Sequence, residues 1–241
     1  LRPFLSIVIP AYNEELRLPA TLQRIGEYAM QTGWENYEIL VVDDGSKDQT
    51  VTVAERIGRE LPAIRVVRNP GNRGKGYAVK NGMLVAAGEW RLFTDADLST
   101  PIEEIEKLLA VGKAGTSVVI GSRALNRELV GVHQSGFREA AGKAFNFLMR
   151  RVLGLPLGDT QCGFKLYSAE AAEQVFPRQR LERFGFDAEA LFIANLHGFK
   201  IGEVPVRWNN VDGTKVSLWN GAQPFLDLFT IRKNQLSGRY R

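Results

Sequence analysis

Trp90-Arg91-Leu92-Phe93-Thr94-Asp95-Ala96-Asp97 is the stretch whose reading decides the fold. An apolar run of strand length gives way to two carboxylates one residue apart. Consecutive strand side chains point to opposite faces, so residues i and i+2 share a face. Asp95 and Asp97 are therefore expected to converge on one hard divalent cation, Mg²⁺ or Mn²⁺, which prefers oxygen ligands. Such a cation can hold a diphosphate and stabilise it as it leaves. An isolated Asp-x-Asp also describes many solvated loops, so the rest of the chain has to decide between the two.

Working outward, apolar runs of strand length recur at residues 4–9, 38–42, 64–67 and 117–120. Helical periodicity fills the gaps at 15–30, 48–61, 76–87 and 101–111. Strands that alternate with helices predict an α/β fold with a mostly parallel sheet and helices on both faces. Ligands in such folds bind outside the carboxyl ends of the strands. Three loops belong there: Pro10-Ala11-Tyr12-Asn13-Glu14, Asp43-Asp44-Gly45-Ser46 and Asp95-Ala96-Asp97. All three carry carboxylates. The second half is less regular, with a polar loop at 121–136, a helix with one apolar stripe at 137–153 and turn-forming residues at 159–164. A helix at 187–196 and a strand at 199–206 follow.

A chain of 241 residues, 44% hydrophobic and 24% charged, suits one α/β domain with a short appendage and a sizeable core. A net charge of +4 is too small to indicate nucleic acid, and no nucleic-acid partner is expected. Its distribution is more telling. After Val206, six basic residues (Arg207, Lys215, Arg232, Lys233, Arg239, Arg241) face two acidic ones (Asp212, Asp227), a surplus equal to that of the whole chain. Trp208, Trp219, Phe225 and Phe229 are interleaved with them. This pattern suits a solvated tail or an anionic partner such as phosphate or a lipid surface. Cys162 is the sole cysteine, so no intrachain disulfide forms. With no signal peptide and no apolar run near ~18 residues, the expected location is cytoplasmic, peripheral at the cytoplasmic face of a membrane.

Ile9-Pro10-Ala11-Tyr12-Asn13-Glu14, Val41-Val42-Asp43-Asp44-Gly45-Ser46 and Asp95-Ala96-Asp97, in this order, resemble family 2 glycosyltransferases of the GT-A fold. Asp159-Thr160-Gln161-Cys162-Gly163-Phe164-Lys165 resembles the branch that makes dolichyl-phosphate glucose, with the dolichyl-phosphate mannose synthases as neighbours. The similarity covers residues 4–217. It implies a Rossmann-like GT-A domain over 1–217, with a nucleotide-sugar-binding half (1–122) and an irregular acceptor-side half (123–217). An amphipathic basic tail, 218–241, follows. The implied activity is metal-dependent, inverting transfer of a sugar, glucose first among candidates, from a UDP-sugar to polyprenyl or dolichyl phosphate.

The donor set implied is Pro10, Ala11, Tyr12, Glu14, Asp43, Asp44, Lys75, Asp95, Ala96, Asp97 and Lys215. Pro10, Tyr12 and Glu14 would line the nucleoside pocket, and Asp43 would accept a hydrogen bond from the base. The chemistry agrees: a uracil N3–H is a donor that suits a carboxylate, and a Tyr ring packs on a base or ribose face. Asp43 and Asp44 equally suit a turn and helix cap, with one Asp for each task. Lys75 lies in Asn72-Arg73-Gly74-Lys75-Gly76-Tyr77, a Gly-rich loop before a helix, where phosphate is attracted.

In related transferases the position of Asp187 carries an acidic residue often assigned as catalytic base; Asp159 is the second candidate. The acceptor tempers that role. A phosphate monoester has a second pKa near ~6 and is largely dianionic at pH 7. It needs positioning and charge neutralisation more than deprotonation. Asp187 is therefore expected to orient cations. Arg123, Arg138 and Lys165 are the cations expected at the acceptor phosphate, with Arg123 also placed at the catalytic centre. His133, His197 and Cys162 read as non-catalytic.

Four alternatives stand beside this reading. One is a polyprenyl-phosphate mannose synthase using GDP-mannose, and another a related transferase with a soluble or glycolipid acceptor. The third is a non-catalytic nucleotide-sugar binding module. A sugar-nucleotide pyrophosphorylase is disfavoured, because the loop after the first strand is acidic and lacks glycine.

Overall fold

The computed structural model describes residues 2–129, 147–209 and 223–241. Parallel strands β1 (Leu5–Ala11), β2 (Tyr37–Asp43), β3 (Ile64–Arg68) and β4 (Trp90–Thr94) form one half of a sheet. Strands β5 (Val118–Ser122), β6 (Phe164–Ser168) and β7 (Ile201–Pro205) complete it. Among the described residues the sheet has seven strands, in the order β3-β2-β1-β4-β6-β5-β7. β6 runs antiparallel to both β4 and β5, and the other pairs are parallel.

Strand alternation divides the core into two layers. Ile7 and Ile9 of β1, Val41 of β2 and Leu92 of β4 face α1 (Leu18–Thr32) and α4 (Ile105–Lys113). Val8, Val42 and Phe93 point the other way. There they meet α3 (Lys75–Val85), α5 (residues 147–153), α6 (Ala169–Val175), α7 (Phe186–Leu196) and α8 (Gln223–Leu236). Between β2 and β3, α2 (Thr50–Glu60) adds Ala54 to the first layer. In α1, buried Leu18, Leu22, Ile25 and Ala29 recur at helical spacing, which makes one apolar stripe. Left-handed Gly33 ends that helix, its N–H turned back to the carbonyls of Ala29 and Met30.

The expected α/β architecture is present, with three differences. β6 was not expected: it inserts between β4 and β5, and the segment read as turns leads directly into it. β4 stops at Thr94, so Asp95-Ala96-Asp97 forms a turn rather than the strand's continuation. The helix expected at 187–196 begins one residue earlier, at Phe186, and α7 is buried on all sides to Ala194. The first part of the 137–153 helix, with His133 and Arg138, and the loop around Lys215 lie outside the described residues.

Candidate active site

The carboxyl ends of β1, β2 and β4 open into one cleft of about 350 Å³. Pro10, Ala11, Tyr12 and Glu14 enter it from β1, and Asp44 from β2. Asp95, Ala96 and Asp97 come from β4, and Lys75 from the start of α3. The structure thus brings together nine of the expected donor residues. A more open hollow of about 500 Å³, beside Ser117, Glu170 and Lys200, lies at the opposite edge of the sheet, away from these loops.

Asp95 and Asp97 share the cleft through their turn, not through strand alternation. Leu98 N–H donates to the Asp95 carbonyl at 3.3 Å, and Ser99 N–H to Asp97 Oδ1 at 3.0 Å. Leu98 takes φ 46°, an uncommon conformation for a branched residue. Gly163 packs so tightly beside Asp95 that a Cβ there would overlap its carboxylate. Lys75 Nζ reaches Asp95 Oδ1 at 2.6 Å. Burial works against the Lys75 charge, but Asp95 and Asp187 outweigh it and hold its pKa above the usual lysine range. A cation already sits against hard oxygen donors that remain partly exposed to the cleft. Asp95 and Asp97 offer carboxylate oxygens of the kind a hard divalent cation takes; among the described residues no third carboxylate, histidine or cysteine joins them.

The two aspartates at the end of β2 have different tasks. Asp43 accepts the N–H groups of Gly45 (3.2 Å) and Ser46 (3.1 Å), which closes the turn, and it lies outside the cleft lining. Asp44 accepts from Asn69 Nδ2 (2.9 Å) and from the N–H groups of Arg73 (3.2 Å) and Gly74 (2.7 Å). It fastens the Gly-rich loop to the cleft. Gly74 (φ 113°) and Gly76 let that loop approach the carbonyls of Glu182 and Leu181, which a Cβ would strike.

Asp187 and Lys165 form a fully buried ion pair, and Lys165 Nζ also donates to the Cys162 carbonyl at 2.5 Å. Burial pushes the Asp187 pKa upward, opposed by Lys165 and Lys75. The Lys165 side chain is 1% exposed and does not line the cleft, so the direct contact with a bound phosphate expected from the sequence is not open to it. Arg123 grips Asp159 through Nε at 2.6 Å and a second nitrogen at 2.9 Å. Burial opposes the charge on Asp159, yet Arg123 outweighs it and holds the carboxyl below its ordinary range. Trp208 packs beneath Arg123 at 5.4 Å and is buried, so it does not belong to an outer aromatic surface. Burial pushes the Cys162 thiol up to about 11, consistent with a packed, unreactive residue. His197 lies at the far end of α7, where a ring nitrogen meets the Tyr240 carbonyl at 2.8 Å.

Several cleft residues were not anticipated. Arg17 forms a two-pronged pair with Glu14, at 2.7 Å for both contacts, and lies 3.9 Å from Asp97. Its spacing three residues after Glu14 was the available signal. Asn72, Arg183 and Phe184 also line the cleft. The last two come from a segment with no secondary-structure signature.

The family model for glycosyl transferase family 2 matches residues 6–176. The chain is 38% identical over 251 residues to the dolichyl-phosphate beta-glucosyltransferase of Homo sapiens, covering 98% of this chain and 77% of that protein. For the Drosophila melanogaster protein of the same name the identity is 39% over 251 residues, covering 98% and 77%. For that of Saccharomyces cerevisiae it is 36% over 258 residues, covering 99% and 77%. Among solved structures, glucosyl-3-phosphoglycerate synthase from Mycobacterium tuberculosis with UDP superposes with TM-score 0.67 at 20% identity, covering 96% of this chain and 80% of that one. The same enzyme with Mn²⁺, UDP-glucose and phosphoglyceric acid gives TM-score 0.67 at 20% identity, covering 96% and 80%. At that identity the likeness concerns the fold.

Proposed function

The chain belongs to glycosyl transferase family 2, and from that premise we propose that it moves glucose from UDP-glucose to a polyprenyl phosphate of the dolichyl type, with inversion. Relatives named dolichyl-phosphate beta-glucosyltransferase match nearly its whole length. The observation that carries the reading is the pair Asp95 and Asp97 facing the Gly-rich loop across one cleft, with Lys75 between them. Residues 1–122 supply most of that cleft, which supports their assignment as the donor half; we assign 123–217 to the acceptor side and 218–241 to a separate tail.

In an inverting transfer an acceptor phosphate oxygen attacks the anomeric carbon from the face opposite the diphosphate. The new C–O bond forms as the bond to UDP breaks, and negative charge gathers on the diphosphate. A divalent cation held by Asp95 and Asp97 would neutralise part of that charge. Lys75 and Arg17 stand beside the same two carboxylates and add fixed positive charge. Tyr12 and the β1 loop hold the nucleoside, and Asp43 keeps the neighbouring turn closed behind the base. Arg123 and Arg138 attract the acceptor phosphate, and Lys215 adds positive charge beside the donor. Asp187 takes no proton in this scheme. A dianionic phosphate is already a nucleophile, and Asp187 keeps Lys165 and Lys75 in place.

The acceptor is a lipid, so we place the protein at the cytoplasmic face of a membrane, bound peripherally. Among the described residues no helix is long and apolar enough to cross a membrane. α8 turns Leu226, Phe229 and Leu236 outward beside exposed Arg232 and Lys233. Apolar side chains flanked by cations suit anionic headgroups and the acyl boundary.

The test combines a panel of UDP- and GDP-sugars with a short polyprenyl phosphate, with and without Mn²⁺. Glucose should pass from UDP-glucose to the lipid phosphate only with the cation present. Product from GDP-mannose alone would replace the donor, and preferential transfer to a free sugar would replace the acceptor. Sedimentation with anionic liposomes should fall at high salt, where charges are screened beyond a Debye length of ~3 Å at 1 M. Equal binding to neutral liposomes at any salt would overturn the charged surface.

A further inference from the structure

Residues 180–185 form one wall of the donor cleft, through Arg183 and Phe184. They have no helix or strand to hold them. Two buried carboxylates do so instead. Glu189, wholly inaccessible within α7, accepts the N–H groups of Arg180 (2.9 Å) and Leu181 (2.7 Å) through one oxygen. Its other oxygen accepts the Tyr240 hydroxyl at 2.6 Å. At the opposite end of the wall, the Asp227 carboxylate of α8 packs directly against Gly185. Gly185 lies so close that a Cβ would overlap the Asp227 carboxylate. Gln223 Nε2 steadies Asp227 at 2.9 Å.

The wall also presses on the opposite side of the cleft. Tyr77 N–H donates to the Glu182 carbonyl at 3.0 Å, and Gln179 Nε2 donates to the Gly76 carbonyl at 2.8 Å. Arg73 pairs with Glu182. A shift of the wall therefore moves the Gly-rich loop that carries Lys75. Neither Asp227 nor Tyr240 lines the cleft, and both are buried, 5% and 3% exposed.

We propose that Asp227 and Tyr240 are positioning residues for the sugar-nucleotide donor, latching α8 and the segment after it to the two ends of the cleft wall. The inference rests on the donor reading of the cleft. It assigns α8 a second task besides its exposed face, because the helix sets the width of a site that it does not touch.

Tyr240→Phe removes one hydroxyl and Asp227→Ala one carboxylate; Asp227→Asn keeps the shape that packs against Gly185. Two readouts apply to each. Amide hydrogen exchange, without ligand, should quicken at Arg180 and Leu181 in Tyr240→Phe, and in Asp227→Ala at Glu189, whose N–H donates to the Gly185 carbonyl. UDP affinity by calorimetry should weaken about tenfold in both as the wall loses an anchor, and Asp227→Asn should recover most of it. With UDP-glucose, KM should rise while kcat stays within about twofold, the pattern of lost binding rather than lost chemistry. Unchanged exchange in both variants would overturn the latch. Faster exchange with unaltered UDP affinity would overturn its role in positioning the donor. Failure of the wild type to bind UDP would instead strike the donor reading, and the exchange data would still decide whether the wall is latched.

Discussion

Asp95→Ala and Asp97→Ala should each lower sugar transfer by at least ~100-fold while leaving the protein folded. Both side chains are partly exposed at the cleft, 31% and 23%, so truncation opens no core cavity. Surface changes of this kind typically alter stability by about 0.5 kcal/mol or less. The loss falls on catalysis because charge on the departing diphosphate has nowhere else to be matched as closely. Lys75 and Arg17 stay in the cleft, but each carries a single charge. Initial rates at saturating UDP-glucose over a series of Mn²⁺ concentrations, with a melting curve for each variant, check this. Wild-type turnover in either variant, or equal activity in EDTA and in Mg²⁺, would remove the metal role.

Lys165→Met should destabilise the protein by about 3–5 kcal/mol, the usual cost of leaving one member of a buried ion pair alone. Lys165 and Asp187 are 1% and 6% exposed, and no water can replace the missing ammonium. Adding Asp187→Leu should restore most of the lost stability, since two apolar side chains can fill the space of a buried pair. The single variant's deficit should also depend on pH. Burial already raises the Asp187 pKa, and losing Lys165 raises it further. A raised folded pKa favours the folded state below the ordinary carboxylate range and penalises it as pH rises toward the folded value. The deficit should therefore be small in acid and grow toward neutral pH. Denaturant titrations at several pH values measure it. A pH-independent deficit, or none, would mean that the pair is not a buried electrostatic unit.

Much of the donor side was legible in the sequence because its signals are local. Each of β1, β2 and β4 is an apolar run that ends in its own functional loop, and sequence order matches spatial order closely enough to assemble the cleft. β6 was not legible, because Phe164-Lys165-Leu166-Tyr167-Ser168 places a lysine where a central strand should be apolar. Lys165 is tolerated only through Asp187, a tertiary partner that local patterning does not reveal. Glu189 was hidden for the same reason: a glutamate on a helix reads as solvated until Tyr240 is placed against it. Asp227 did leave a trace, as the charge that interrupts an apolar run in α8. What it packs against, Gly185 in the cleft wall, could be seen only in three dimensions.

The reversed direction of β6 has a consequence for how such a protein changes over generations. β5 leaves the sheet beyond Ser122 and the chain returns at Phe164, in the neighbouring strand and at the same edge. Arg123 and Asp159 stand near the two feet of that excursion and tie them together. A detour that departs and returns at adjacent points can be lengthened, trimmed or exchanged without shifting the register of any strand. Doubling its length costs only about 0.6 kcal/mol in closure entropy. Changes of length between the two feet therefore leave the strand frame, and the loops carried by β1, β2 and β4, where they are.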